Sequence, residues 1–310
     1  MNDRSAGAIA IGVGAGVALF AGWQVVKRSA LSKAGVEDIS VTSSKGGGVG
    51  TYEAKRAVDE YLQFHYGEPE TVMPYKFRSE VAPGLNFVEK CANLIEKHTL
   101  ALQDISGENG EPTVLDIGCS VGGVSFALAR SFPHVLGIDY SQAFIDAAIV
   151  MKEEDSMHYA SKIEGDIEEF HVARVPDGIE KCRVSFRLGD ACNLPANMRP
   201  VDAILAANLL CRLPDPMLFL NRLPSLMKPK GCVVLVSPYS WLESWTPKPK
   251  WMGGCEDSDG KPLRSAEKLK AVMEELGFEL VHEENVPFLI REHVRKFQLG
   301  ISHATVWRRK

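Results

Sequence analysis

Val114-Leu115-Asp116-Ile117-Gly118-Cys119-Ser120-Val121-Gly122-Gly123 is the stretch on which the fold turns. Val114, Leu115 and Ile117 read as a buried strand. Asp116 lies inside it, a loop of small residues follows, and Val124 to Arg130 resumes at helical spacing. Strand, tight glycine turn and helix N-terminus together let backbone approach a ligand closely and aim free N–H groups at it. The plainer alternative is that Asp116 caps the helix and the glycines only turn the chain.

Outward from this stretch, Val135-Leu136-Gly137-Ile138 forms a second strand ending in Asp139. An acid at that tip can accept both hydroxyls of a ribose. A dinucleotide fingerprint reads G-x-G-x-x-G after its strand, whereas this turn reads Gly118-x-Ser120-x-Gly122. Together these residues resemble the nucleotide half of class I S-adenosylmethionine-dependent methyltransferases, with Ser120 where that superfamily usually has Gly. The resemblance implies an α/β, Rossmann-like, seven-stranded and mostly parallel sheet with helices on both faces. It implies S-adenosyl-L-methionine as cofactor, its methionine part on Asp116, Gly118, Ser120 and Gly122. It places the ribose on Asp139 and the adenine on Asp190 and Ala191, after the alternating strand Val184 to Leu188. Asn208, at the tip of the strand Val201 to Ala206, falls beside the methyl-transfer position and is a candidate to hold the cofactor backbone or the substrate.

Composition bounds the rest. The 310 residues are 45% hydrophobic and 24% charged, with a formal net charge of -5. These values suit a globular protein and exclude a basic nucleic-acid surface. The seven cysteines are scattered with no C-x-x-C, so neither a zinc site nor a disulfide framework is supported.

Ala6 to Val26 is a 21-residue run without charge, followed by Lys27 and Arg28. That length spans a bilayer as a helix. Residues 1–28 read as a membrane anchor, 29–50 as a flexible tether and 51–310 as the methyltransferase domain. Within the last, 51–83 is an N-terminal arm and 240–260 a lid-like insertion. The basic residues after the span put the domain on the cytosolic side. The partners expected are a small-molecule substrate and, through the N-terminal helix, a membrane, with no nucleic acid; no oligomeric state is assigned.

Thr51 to His65 carries an apolar helical face and leads into Phe64-His65-Tyr66-Gly67-Glu68-Pro69. These aromatics read as a cap over an active site, or as staples packing the arm. Helices are expected over 84–102, 142–151, 215–227 and 265–276, and Lys228 to Gly231 reads as a helix stop. Glu153 to Lys181 reads as an acidic, irregular insertion. The long connection Ser240 to Asp259 holds Trp241, Trp245 and Trp251 and reads as a lid. Phe278 to His282 and Ile301 to Trp307 read as a terminal antiparallel pair. Between them, Arg291 and Glu292 are candidates for a zwitterion's carboxylate and amine.

A closer resemblance rests on five strings. They are Tyr61-Leu62-x-Phe64-His65-Tyr66-Gly67-Glu68-Pro69, Leu115-Asp116-x-Gly118-Cys119, Gly189-Asp190-Ala191-Cys192-Asn193-Leu194, Ala206 to Pro214, and Pro287-Phe288-Leu289-Ile290-Arg291-Glu292-His293. Over roughly Thr51 to Arg309 the chain is similar to the C-terminal methyltransferase domain of the ovothiol-biosynthesis enzyme. In that family the domain usually follows an iron-dependent sulfoxide synthase module; no His-rich iron site is visible in this sequence. The resemblance implies methyl transfer to an imidazole ring nitrogen of mercaptohistidine. Asn208 is a catalytic candidate, and His65, Glu292 and His293 are candidate proton acceptors. Tyr66, Arg212, Trp241, Trp245, Arg291 and Glu292 are candidate substrate contacts. The alternatives are another small amine or lipid-like acceptor, or a catalytically silent, membrane-tethered scaffold. No metal is expected.

Overall fold

The computed structural model describes residues 49–100 and 113–310. The arm opens with a 3₁₀ turn, Val49–Glu53, then helices α1 (Lys55–Tyr66), α2 (Pro69–Val72) and α3 (Arg78–Val81). Helix α4 (Phe87–Leu100) leads toward strand β1 (Thr113–Ile117), which the glycine turn joins to α5 (Gly123–Leu128). Strand β2 (His134–Asp139) and helix α6 (Gln142–Glu154) follow. Ser141 caps α6 as its sequence promises: its Oγ accepts the N–H of Phe144 at 3.2 Å.

Strands β3 (Ser156–Glu164) and β4 (Ile167–Arg174) make an antiparallel hairpin where an irregular insertion was expected. The acidic side chains masked a half-buried ribbon. Tyr159, Ser161 and Ala173 face inward while Glu168 and Phe170 face out. Strands β5 (Val184–Leu188) and β6 (Val201–Ala207) come next. The helix expected over 215–227 is two short pieces, α7 (Pro216–Leu220) and α8 (Leu223–Leu226), with Pro224 opening the second. The helical stretch ends at Leu226, just before Lys228 to Gly231, and that segment lies within β7 (Met227–Ser237). The β6–β7 register shifts there, from Val201↔Met227 to Ala203↔Cys232. A small ribbon, β8 (Cys255–Glu256) and β9 (Pro262–Leu263), precedes α9 (Ser265–Glu275). The chain ends in one long hairpin, β10 (Phe278–His293) with β11 (Lys296–Arg309). The 287–296 segment is therefore strand and tight turn. Pro287 is tolerated because β10 is an edge strand.

The main sheet has seven strands in the order β10-β11-β7-β6-β1-β2-β5. The central pairs are parallel, and β11 runs antiparallel to both β7 and β10. From β1 the chain builds outward to β2 and β5, then returns to β6 on the other side. Such a switch point opens a crevice at the strand carboxyl ends. Fully buried Ile204, Val233 and Val234 fill the middle of the sheet.

Among the described residues no helix is long and apolar enough to cross a membrane. The expected span and all of the tether before Val49 lie outside the described residues, as does the loop expected over 106–112.

Candidate active site

A cavity of about 240 Å³ opens at the carboxyl ends of β1, β2, β5 and β6. One half is built from strand tips. Gly122 makes the turn possible, with φ of 86° and a hypothetical Cβ only 2.6 Å from the Phe186 ring. Ser120, 5% exposed, occupies the left-handed region at φ 51°, and its Oγ has no hydrogen-bond partner.

Asp116, Asp139 and Asp190 all line this half. The Ser120 N–H donates to Asp139 Oδ2 at 2.8 Å and the Ser141 N–H to Oδ1 at 2.9 Å. A carboxylate offers about four acceptor positions, so each oxygen keeps one for a further donor. Asp116 takes the Ser125 hydroxyl on Oδ2 at 2.6 Å, and the Ser125 backbone N–H also supports its carboxyl. Burial pushes its carboxyl up to about 7, partly offset by the Ser125 bond. Burial raises Asp139 too, against its backbone bonds. Asp190 caps the turn Ala191–Asn193 through the Cys192 N–H at 2.8 Å, and Ala191 lines the wall beside it. Gly118 lines the floor, while Gly122 serves the turn without lining the cavity. An unsatisfied Ser120 hydroxyl among three carboxylates on a glycine turn fits a nucleoside carrying an amino-acid tail.

The other half is aromatic and drawn from distant segments. Tyr61, Phe64 and His65 come from one face of α1, with Tyr52, Phe144, Trp245 and Ile290 around them. Trp245 stacks on Tyr52 with centroids 5.1 Å apart. Arg212 lies 5.8 Å from the Trp245 ring centroid, and its Nη1 donates to the Ser240 carbonyl at 3.0 Å. No carboxylate pairs with it among the described residues. The Gly123 N–H donates to His65 Nδ1 at 3.1 Å, so the ring proton sits on Nε2. Burial lowers this imidazole to about 3. Asn208 adopts φ 53° at the tip of β6, its N–H donating to the Val236 carbonyl at 2.7 Å. The Ser302 hydroxyl, fully buried, donates to Asn208 Oδ1 at 2.7 Å and turns the amide nitrogen free.

Besides Gly122, five candidates do not line the cavity. The Tyr66 hydroxyl donates to the Val121 carbonyl at 2.8 Å, bracing the glycine turn. Trp241 is 8% exposed, its indole N–H donating to Ser265 Oγ at 2.9 Å. Arg291 is 3% exposed and donates to the carbonyls of Thr71 and Lys162, tying α2, β3 and β10 together. Glu292 pairs with Lys296 and accepts from Gln298 at 3.0 Å. His293 Nδ1 takes the Arg295 N–H at 3.3 Å. The expected lid is pinned by the Trp241 bond and two more: Thr246 Oγ1 to the Leu213 carbonyl at 2.7 Å, and Trp251 Nε1 to the Thr246 carbonyl at 2.7 Å. Of its tryptophans only Trp245 reaches the cavity.

Sequence reasoning passed over Tyr52, Phe144 and Ile290 as site residues. Tyr61 joins them, and its i, i+3, i+4 spacing with Phe64 and His65 is a usable sequence signal for it. For Ser302, 94 residues from its partner, sequence carried none.

A family model described as "Methyltransferase domain" matches residues 88–283. No curated protein matches the chain. Among solved structures, the chain is similar to magnesium protoporphyrin IX methyltransferase from Synechocystis PCC 6803, solved with bound S-adenosylhomocysteine. The two are 14% identical over 84% of this chain and 96% of that one, with a TM-score of 0.49. It is also similar to a S-adenosylmethionine-dependent methyltransferase from Methanosarcina mazei, 16% identical over 65% and 94%, TM-score 0.44. By the match to that methyltransferase-domain family, the cofactor of the site is S-adenosyl-L-methionine. The chain belongs to the methyltransferase-domain family.

Proposed function

We propose that the chain transfers a methyl group from S-adenosylmethionine to an imidazole ring nitrogen of mercaptohistidine. The observation that carries the reading is one cavity in which three strand-tip carboxylates face an aromatic lobe holding Arg212 and Asn208. Asp139 would hold the ribose, Asp190 and Ala191 the adenine edge, and Asp116 with Gly118 and Ser120 the methionine part. When bound, the sulfonium supplies a methyl carbon open to in-line attack. A ring nitrogen held in line with that carbon would take the methyl group, the bonding pair staying with the sulfur. Positioning is then the protein's main task. The aromatic walls fix the plane of the ring, and Arg212 and Asn208 set its rotation. His65 cannot take the released proton, because its lone pair already accepts the Gly123 N–H. That proton leaves to solvent.

From the uncharged run Ala6–Val26 we also propose a single membrane anchor with the domain on the cytosolic side. Alkaline carbonate extraction that releases the full chain from membranes would refute the anchor.

The activity is tested by incubating the full chain with S-adenosylmethionine and mercaptohistidine, with histidine as control. Fragmentation mass spectrometry should place one new methyl on a ring nitrogen, and Asp139→Ala should abolish it. A methyl on sulfur, or none while cofactor binding persists, refutes this acceptor.

A further inference from the structure

The cavity's acceptor lobe has a one-sided hydrogen-bonding character. The fold has taken the accepting atoms of His65 and Asn208, Arg212 has none to give, and the phenols of Tyr52 and Tyr61 are the neutral side-chain acceptors that remain there. His65 Nδ1 is occupied by the Gly123 N–H, leaving only an Nε2–H. Asn208 Oδ1 is occupied by the Ser302 hydroxyl, leaving only its NH₂. Arg212 is a pure donor; Nη1 is spent on the Cys211 and Ser240 carbonyls, while no bond engages Nε or Nη2. The Tyr61 phenol is held well above its usual range by burial, so it is no base. Every carboxylate lining the cavity sits on a strand tip of the cofactor half.

From this geometry we infer that the lobe selects a planar aromatic anion, a ring carrying a carboxylate, and does not read an amine on the same molecule. The inference rests on the methyltransferase reading and deepens it. Arg212 is the anion's anchor. Its Nε and Nη2 form the fork that meets a carboxylate with two parallel bonds. Nη1 is tied back to carbonyls, and the Trp245 ring 5.8 Å away fixes the guanidinium plane. An unpaired guanidinium beside a cavity wall is costly to desolvate, so a ligand that closes the cavity must bring a negative charge. An ammonium finds no carboxylate on this side. Mercaptohistidine satisfies the lobe through its carboxylate and thiolate, and its amino group should be dispensable.

The test is calorimetric binding to the full chain saturated with S-adenosylhomocysteine. Two ligand pairs share a ring and differ in charge: benzoate against benzylamine, and imidazole propionate against histamine. The carboxylate should bind about 30-fold or more tightly than the amine in at least one pair, as expected of a lost bidentate contact. Arg212→Met should shrink that preference to about threefold or less with S-adenosylhomocysteine affinity unchanged. If Arg212→Met fails to fold, Arg212→Lys should keep the charge and lose most of the preference, since an ammonium has no fork. Equal or tighter binding of the amines, no binding of either carboxylate, or a preference that survives loss of Arg212 overturns the inference. Binding of benzoate alone would support it and refute the imidazole acceptor. A wild-type chain that fails to bind S-adenosylhomocysteine overturns the methyltransferase reading itself, and the inference with it.

Discussion

The two halves of the cavity are made in opposite ways. Most of the cofactor half is local: Asp116, Ser120 and Asp139 lie within 24 residues, on two adjacent parallel strands and the turns after them, and only Asp190 and Ala191 join from the end of β5. The acceptor half draws on Tyr52, Phe144, Asn208, Trp245 and Ile290, brought together only by the finished sheet. The cofactor half holds the carboxylates, the acceptor half the aromatic rings and the guanidinium. A nucleoside with a fixed shape is met by backbone geometry that a short motif specifies. An acceptor is met by side chains that long-range packing delivers, and these are free to change without disturbing the sheet.

Asp139 is the sharpest place to break that division. Asp139→Ala removes the acceptor for two backbone N–H groups and, on the proposed reading, for the ribose hydroxyls at once. Hydrogen bonds to a charged group are worth about 1.5–3 kcal/mol each. S-Adenosylhomocysteine affinity should fall by about 100-fold or more by calorimetry, and acceptor binding should fail with it only where the cofactor completes the lobe.

Asp116 gives the next largest effect, and its sign depends on pH. Its carboxyl titrates near 3.8 when free and at about 7 when buried. Between those values the folded chain holds a proton that the unfolded chain has released. The apo fold therefore loses stability as pH rises from about 4 to 7, on the order of 4 kcal/mol in full by linkage. Asp116→Asn keeps an acceptor for the Ser125 hydroxyl and removes the buried charge. The apo variant should melt higher than wild type at pH 8 and no higher at pH 4, while cofactor affinity drops about 10-fold. Equal melting gains at both pH values would detach Asp116 from this account.

Ser302 probes the other half. Ser302→Ala frees the Asn208 amide to flip. Acceptor KM should rise about fivefold, matching one neutral hydrogen bond of roughly 1 kcal/mol, with S-adenosylhomocysteine affinity unmoved. Ser302→Thr, which keeps the hydroxyl, should restore it. A cofactor defect in Ser302→Ala would mean that the halves are not separable.

The same contrast explains what sequence could tell. The strand, the glycine turn and the acid after β2 are contiguous, so periodicity and turn chemistry read them directly, and the sheet followed. The β3–β4 hairpin was hidden because Glu168, Glu169 and Phe170 are exposed in a row, which leaves no clean alternation. The break between α7 and α8 followed from Pro224, a local signal that was outweighed by apolar spacing. Arg291 was selected for its charge next to an apolar run. Only the fold reveals that three elements close over it. The pinned lid is of the same kind, since its anchors Leu213 and Ser265 lie outside the segment.

Tyr66 tests the boundary between the halves with the smallest effect. It belongs to α1, whose other aromatics wall the acceptor lobe, yet its hydroxyl reaches across to the Val121 carbonyl inside the glycine turn. If it served the acceptor, Tyr66→Phe would raise acceptor KM and leave the cofactor alone. The geometry predicts the reverse. Losing one partly buried hydrogen bond costs about 1 kcal/mol, and the carbonyl left behind loosens the turn that carries Ser120 and Gly122. Tyr66→Phe should lower the melting temperature by a few degrees, about 2–4 °C for a domain of this size. It should weaken S-adenosylhomocysteine by about threefold and leave the preference for benzoate over benzylamine intact, because nothing in the Arg212 fork depends on that phenol.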